Sequence, residues 1–213
     1  MKTDDLISML AKGAIAVEPQ TLQRRYVAAL GWGAFGALFV MAIWLGVRPD
    51  IATAVWLPMF WVKLAFPGVL FAGALLAAMR LSRPGVRLGR APVLLAAPVL
   101  GIWLLAAIAL LGVEPAGREP LIYGISWSVC SFYIAAVSAP AFIAALWAMK
   151  GLAPTSPAWA GAASGLLAGA LGAAIYALHC PEMAAPFLAI WYLLGMLIPA
   201  VLGAIVGPFL LRW

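Results

Sequence analysis

Charge is what this sequence has least of. Asp, Glu, Lys and Arg make up 9% of its 213 residues, while 66% are apolar; soluble domains average about 25% and about 45–50%. A chain this short cannot bury so much apolar surface in a water-soluble core, so its solvent must be lipid. The alternating apolar and polar segments of a membrane β-barrel are also missing. Histidine occurs once, at His179, and there is no Ser/His/Asp order, phosphate loop or metal-spaced carboxylate cluster. Spans this poor in polar groups lack the converging side chains that membrane enzymes use, so the residues predict a protein without catalysis. Two cysteines, Cys130 and Cys180, are too few for a disulfide framework or a four-thiolate zinc site. The net charge of +6 does not point to nucleic acid, because no aromatic–basic platform accompanies it. The N-terminus carries Asp4, Asp5 and Glu18 and has no compact apolar run ahead of the first span, unlike a cleavable signal peptide.

What is present is six long apolar stretches. They run from about Tyr26 to Val47, Ala54 to Met79, Pro92 to Val113, Leu121 to Met149, Pro157 to Leu178 and Ala184 to Leu211. Each meets the roughly 20 residues that a spanning helix needs. Breakers separate them, among them Arg48-Pro49-Asp50, Ser82-Arg83-Pro84-Gly85 and His179-Cys180-Pro181-Glu182. The expected fold is an all-α polytopic membrane protein of six spans over residues 26–213, preceded by a cytoplasmic segment over residues 1–25. Lys2, Lys12, Arg24, Arg25, Arg80, Arg83, Arg87, Arg90, Lys150 and Arg212 fall on one side of the membrane, against Arg48 and Arg118 on the other. That asymmetry predicts both termini in the cytoplasm of a bacterial inner membrane. Trp32, Trp44, Trp56, Trp103, Trp127, Trp191 and Trp213 mostly fall near span ends, as interfacial anchors do. Gly161, Gly165, Gly169 and Gly172 put small residues on one face of the fifth span, which suits helix packing and would permit a homodimer. No internal repeat suggests an inverted-repeat transporter.

Three features stand out from this apolar background. Lys63 is the one charge within a span. It costs about 2.5–3.5 kcal/mol on insertion scales and is expected to pair with Glu114, Glu119 or Glu182, either as a structural ion pair or as a coupling element. Cys130 is expected about nine residues, roughly 13 Å, below the outer end of the fourth span, and Cys180 at the outer end of the fifth. Both fall in the oxidising half of the protein, where a disulfide or a soft-metal thiolate pair can form. His179 and Glu182 stand by as accessory ligands, and the plainer alternative is two small buried hydrophobes. In the tail, Thr3 can cap a helix, with Asp4 and Asp5 complementing its positive end. Leu6, Met9 and Leu10 share one face beside Ile7, and Gly13 can end the helix. At about nine residues it is too short to stand alone in water, so it folds either on the membrane or in a protein groove; its acidic start favours the groove.

Met1-Lys2-Thr3-Asp4-Asp5-Leu6-Ile7, the six-span body, Trp61-Val62-Lys63-Leu64, and His179-Cys180-Pro181-Glu182 followed by Phe187-Leu188-Ala189-Ile190-Trp191-Tyr192 together resemble the NrsF-type membrane anti-sigma factors over essentially the whole chain. The resemblance implies that the chain sequesters an extracytoplasmic-function (ECF) sigma factor through Asp4, Asp5, Leu6, Ile7 and Leu10. It implies that Cys130 and Cys180 sense heavy-metal or oxidative stress from the outer side, with no resident cofactor beyond a transient heavy-metal ion at the cysteine pair. The partners would be the sigma factor and the bilayer, without direct contact to nucleic acid. The basic loop from Arg80 to Arg90 is a second candidate sigma contact, by its size and side. Two other classes compete. A small transporter or metal exporter needs polar residues lining a path, and a thiol-redox membrane protein normally shows a Cys-x-x-Cys pair, absent here.

Overall fold

A computed structural model describes residues 21–83, 85–152 and 154–212, with side chains from Arg24 onward; the tail residues Asp4, Asp5, Leu6, Ile7 and Leu10 lie outside it. The described regular structure is helical: α1 (Thr21–Trp44), α2 (Ile51–Ala54), α3 (Pro58–Leu81), α4 (Ala91–Leu111), α5 (Pro115–Tyr123), α6 (Trp127–Lys150), α7 (Pro157–Tyr176), α8 (Ala185–Phe187), a π-helical turn (Leu188–Tyr192) and α9 (Leu193–Leu210). Proline stands in the first turn of α3, α4, α5, α7 and α8, where its missing N–H leaves no bond unmade. Six helical stretches are long and apolar enough to cross a membrane: Arg24–Trp44, Pro58–Leu81, Ala91–Leu111, Pro115–Lys150, Pro157–Tyr176 and Ala185–Leu210. The chain is a membrane protein of six spans.

Six crossings return the chain to the end where it started. Tyr26, Ala29, Ala91, Met149, Ala160 and Leu211 share one buried cluster, and the Tyr26 hydroxyl donates to the Met149 sulfur at 3.7 Å. The opposite end is built on Cys130, Ile134, Tyr176, Cys180, Phe187 and Tyr192.

α7 is the axis of the bundle: 67% of its span is buried, against 11% for α4. The glycine face makes this possible. A Cβ on Gly161 would fall on the Gly203 carbonyl, one on Gly165 on the Pro199 carbonyl, and one on Gly169 on the Met196 carbonyl. Gly203 and Gly207 answer from α9, where a Cβ would strike the Gly161 and Pro157 carbonyls. The face that suggested a homodimer is thus occupied by α9 of the same chain.

The fourth span also differs from expectation. Its apolar run begins at Leu121, but the helix breaks at Gly124, which takes φ +56, a left-handed conformation that glycine adopts without a side-chain penalty. α5 lies before the break with no buried residue, and the span proper starts at Trp127. Cys130 therefore sits in the first turn of α6 and not about nine residues below the start of its helix.

Overpacking a close-packed contact costs about 1–3 kcal/mol, and sometimes more. Gly165→Val should therefore lower the thermal midpoint of the detergent-purified protein by several degrees or abolish folding. Gly31→Ala, with open space around the glycine, should leave it unchanged in the same melt.

Candidate functional site

The site forms where α7 ends. The N–H groups of His179 and Cys180 both donate to the Tyr176 carbonyl at 3.0 Å, a tight final turn that Pro181 prevents from continuing. Such an end leaves carbonyls without N–H partners and carries the negative end of the helix dipole. Two cations meet it. Lys63 of α3, 0% exposed, donates to the Cys180 carbonyl at 2.6 Å and the Glu182 carbonyl at 2.8 Å. Its ammonium also sits 5.3 Å from the centre of the Tyr192 ring. Arg48, between α1 and α2, donates to the Cys180 carbonyl at 3.2 Å, and its own N–H donates to the Leu178 carbonyl at 3.0 Å.

Lys63 was expected to find a carboxylate; it finds main chain. The Glu182 carboxylate instead accepts from the Ile125 N–H at 2.7 Å, beside the Gly124 break. Asp50 closes the outer edge. Arg48 donates to both its oxygens, at 2.7 and 2.6 Å, and that bond holds the Asp50 carboxyl below its ordinary range. Arg48 was read in the sequence only as a topology exception. The signal that could have singled it out is the Arg-x-Asp spacing in a half whose only other basic residues are Lys63 and Arg118.

Cys130 and Cys180 come together here. Both are 0% exposed and both are free thiols, near enough to interact side chain to side chain. The Tyr176 hydroxyl lies against both sulfurs. The buried Tyr192 hydroxyl lies near enough to Cys180 to interact with it electrostatically and forms no hydrogen bond among the described residues. Tyr192 stood out in the sequence only as the last residue of the Phe187–Tyr192 motif, and Tyr176 not at all, because a lone tyrosine in an apolar run carries no distinct signal. The hydrogen bond with Cys130, and then the charge of Lys63, hold the Cys180 thiol below its usual value in spite of burial.

His179 and Glu182, the two expected accessory ligands, are engaged elsewhere. His179 Nδ1 donates to the Gly46 carbonyl at 2.9 Å, which accounts for its place beneath the α1–α2 connection. Among the described residues no three His, Cys, Asp or Glu side chains converge as a metal set. The chemistry on offer is therefore that of two adjacent soft donors in a dry site, one of them biased toward thiolate. They can ligate a soft ion as a pair or close into a disulfide.

The pH dependence of Cys180 alkylation should show that bias. In a Cys130-intact protein treated with a small methanethiosulfonate, half-reaction is expected below the ordinary thiol value of about 8.5. Lys63→Met should move it upward, because the attractive charge is gone. Identical profiles would show that Lys63 does not act on the thiol.

Comparison with known proteins gives a consistent answer. The family described as NrsF, negative regulator of sigma F, matches residues 10–213. The chain is 53% identical over 213 residues to a probable anti-sigma-F factor NrsF of Azospira oryzae, with all of both chains covered. It is 41% identical over 215 residues to the anti-sigma-F factor NrsF of Caulobacter vibrioides, again with full coverage. No solved structure matches.

Proposed function

The chain belongs to the NrsF family of negative regulators of sigma F, and from that premise we propose that it is a membrane-bound anti-sigma factor. Its work is to sequester a sigma factor, a regulatory and not a catalytic role. In the finer form of the proposal the partner is an ECF sigma factor, held at the cytoplasmic face of the inner membrane. It is freed when a heavy metal or an oxidant reaches Cys130 and Cys180. The observation that carries this reading is the full-length identity to two proteins named anti-sigma-F factors.

The charge distribution supports the sidedness. Arg24, Arg25, Arg80, Arg83, Arg87, Arg90, Lys150 and Arg212 gather at the Tyr26 end, which the positive-inside rule assigns to the cytoplasm. The thiol pair then faces the periplasm. The tail residues Asp4, Asp5, Leu6, Ile7 and Leu10 are the proposed sigma contact, through a short amphipathic helix that folds in the sigma groove.

The switch starts at sulfur. A soft ion takes the two thiols as thiolates, with release of their protons. Alternatively the thiols join as a disulfide, passing two protons and two electrons to an oxidant such as a peroxide or chromate. Either event alters the turn whose Cys180 carbonyl is held by Lys63 and Arg48. Lys63 lies on α3, and Arg48 follows α1, which leads directly from the tail. A shift of the bound-to-free ratio from 1:99 to 99:1 needs about 5.5 kcal/mol of differential affinity, within reach of thiolate–metal bonding. A transporter would instead need polar groups along a path, and Lys63, the charge buried inside a span, is tied to main-chain carbonyls.

Replacing both cysteines by serine should flatten the response of a sigma-dependent reporter to cadmium or chromate while repression persists; an unchanged response would refute the sensor. Separately, an Asp5→Arg, Leu6→Asp tail should no longer retain the sigma factor in a pull-down from membranes. Full retention would remove the tail as the contact.

A further inference from the structure

We propose that the Tyr26 end of the bundle carries a binding site for one anionic phospholipid, formed by the α3–α4 loop and an apolar groove beside it. The groove encloses about 370 Å³ and is bounded by Ala77 and Leu81 of α3, Leu88 of the α3–α4 loop, Pro92 of α4, and Trp159 and Ala162 of α7. Nothing polar lines it beyond a trace, so what fills it must be hydrocarbon. A channel of that kind, opening between spans, accepts a length of acyl chain.

The mouth is of opposite character. The loop over residues 81–90 carries Arg83, Arg87 and Arg90 and no acidic residue. All three arginines are exposed, and none forms an ion pair among the described residues. The loop's described residues from Gly85 to Arg90 are folded and not merely a basic stretch. Gly85 and Gly89 take φ +73 and +60, Arg80 donates to the Arg87 carbonyl at 3.3 Å, and the Ala91 N–H donates to the Leu88 carbonyl at 3.2 Å. Leu88, a wall of the groove, is thereby held between Arg87 and Arg90.

A third element points the same way. α4 begins at the mouth with Arg90 in the capping position and no side-chain cap. The Ala91 N–H is taken by the Leu88 carbonyl and Pro92 has none, so this end contributes through the positive end of its dipole and not as a cradle of free N–H groups. Trp159, 71% exposed, lines the same groove two residues into α7, where tryptophans at span ends favour the interface. Apolar groove and exposed arginines together match a lipid with an acidic headgroup, and basic pockets between spans on the cytoplasmic side are known to take such lipids. The occupant is the intact lipid and not free phosphate, because half of the site is hydrocarbon.

Native mass spectrometry of the full-length protein in mild detergent tests this, with phosphatidylglycerol and phosphatidylethanolamine of identical chains offered in competition. The expected result is one retained phosphatidylglycerol, preferred by on the order of tenfold. Arg87→Gln, Arg90→Gln should bring the two lipids to parity, and Ala162→Phe, which fills the groove, should reduce retention of both without changing the melting profile. Equal retention by the unaltered protein would overturn the site. So would a preference that survives the arginine changes, displacement by glycerol phosphate alone, or arginine changes that weaken sigma retention and leave lipid binding intact, which would give the loop to the protein partner instead.

Discussion

The last turn of α7 ends inside a membrane protein, where open carbonyls have little water to bond with and each unsatisfied polar group costs several kcal/mol. Lys63 and Arg48 supply the donors. Each cation alone would be expensive to bury, and each carbonyl alone would be expensive to leave open; together they satisfy one another. That mutual requirement explains why an ammonium with no carboxylate partner is wholly buried. It also draws α3, the α1–α2 connection and the α7–α8 connection onto one point, the Cys180 carbonyl.

Other side-chain bonds to main chain secure the surroundings. Ser131 donates to the Trp191 carbonyl at 2.8 Å, and the Trp191 indole donates to the Ile122 carbonyl at 2.8 Å. These fix the π-helical turn, an irregularity that recurs at functional sites, against α5 and α6. The turn places Tyr192 over Lys63 and beside the thiols. The two halves of the bundle thus differ in kind. Toward Tyr26 the helices meet through glycine and alanine at close backbone distance, while toward Cys180 they meet through hydrogen bonds to carbonyls. The first is unspecific in chemistry but demanding in shape; the second can be disturbed by a change at a single sulfur.

Much of this was legible in the sequence, and the exceptions have clear causes. Apolar run length gave all six spans, because hydropathy reports directly on the solvent. The glycine spacing of the fifth span marked a close-packing face, yet it could not say that α9 of the same chain fills it; small residues announce an approach without naming the partner. The break at Gly124 was hidden because the residues around it are apolar, and with it the depth of Cys130. A nine-residue offset became a first-turn position, which is what lets the two cysteines meet. Lys63 was correctly singled out as the buried charge but assigned the wrong kind of partner. Carboxylates can be counted in a sequence, whereas a carbonyl freed by a helix ending appears only in the fold. Arg48 and Tyr176 carried too little local signal to be chosen from their neighbours, and Tyr192 appeared only within a longer motif with no role of its own.

Everything proposed for signalling depends on the two thiols being held together by that capped turn. Intact-mass and peptide analysis after mild oxidation of the membrane-embedded protein measures this most directly. The account predicts that the unaltered chain loses two hydrogens and yields a Cys130–Cys180 cross-linked peptide, and that Lys63→Met forms it markedly more slowly. Two thiols that remain separately alkylatable after oxidation, or a cross-link indifferent to Lys63, would contradict it.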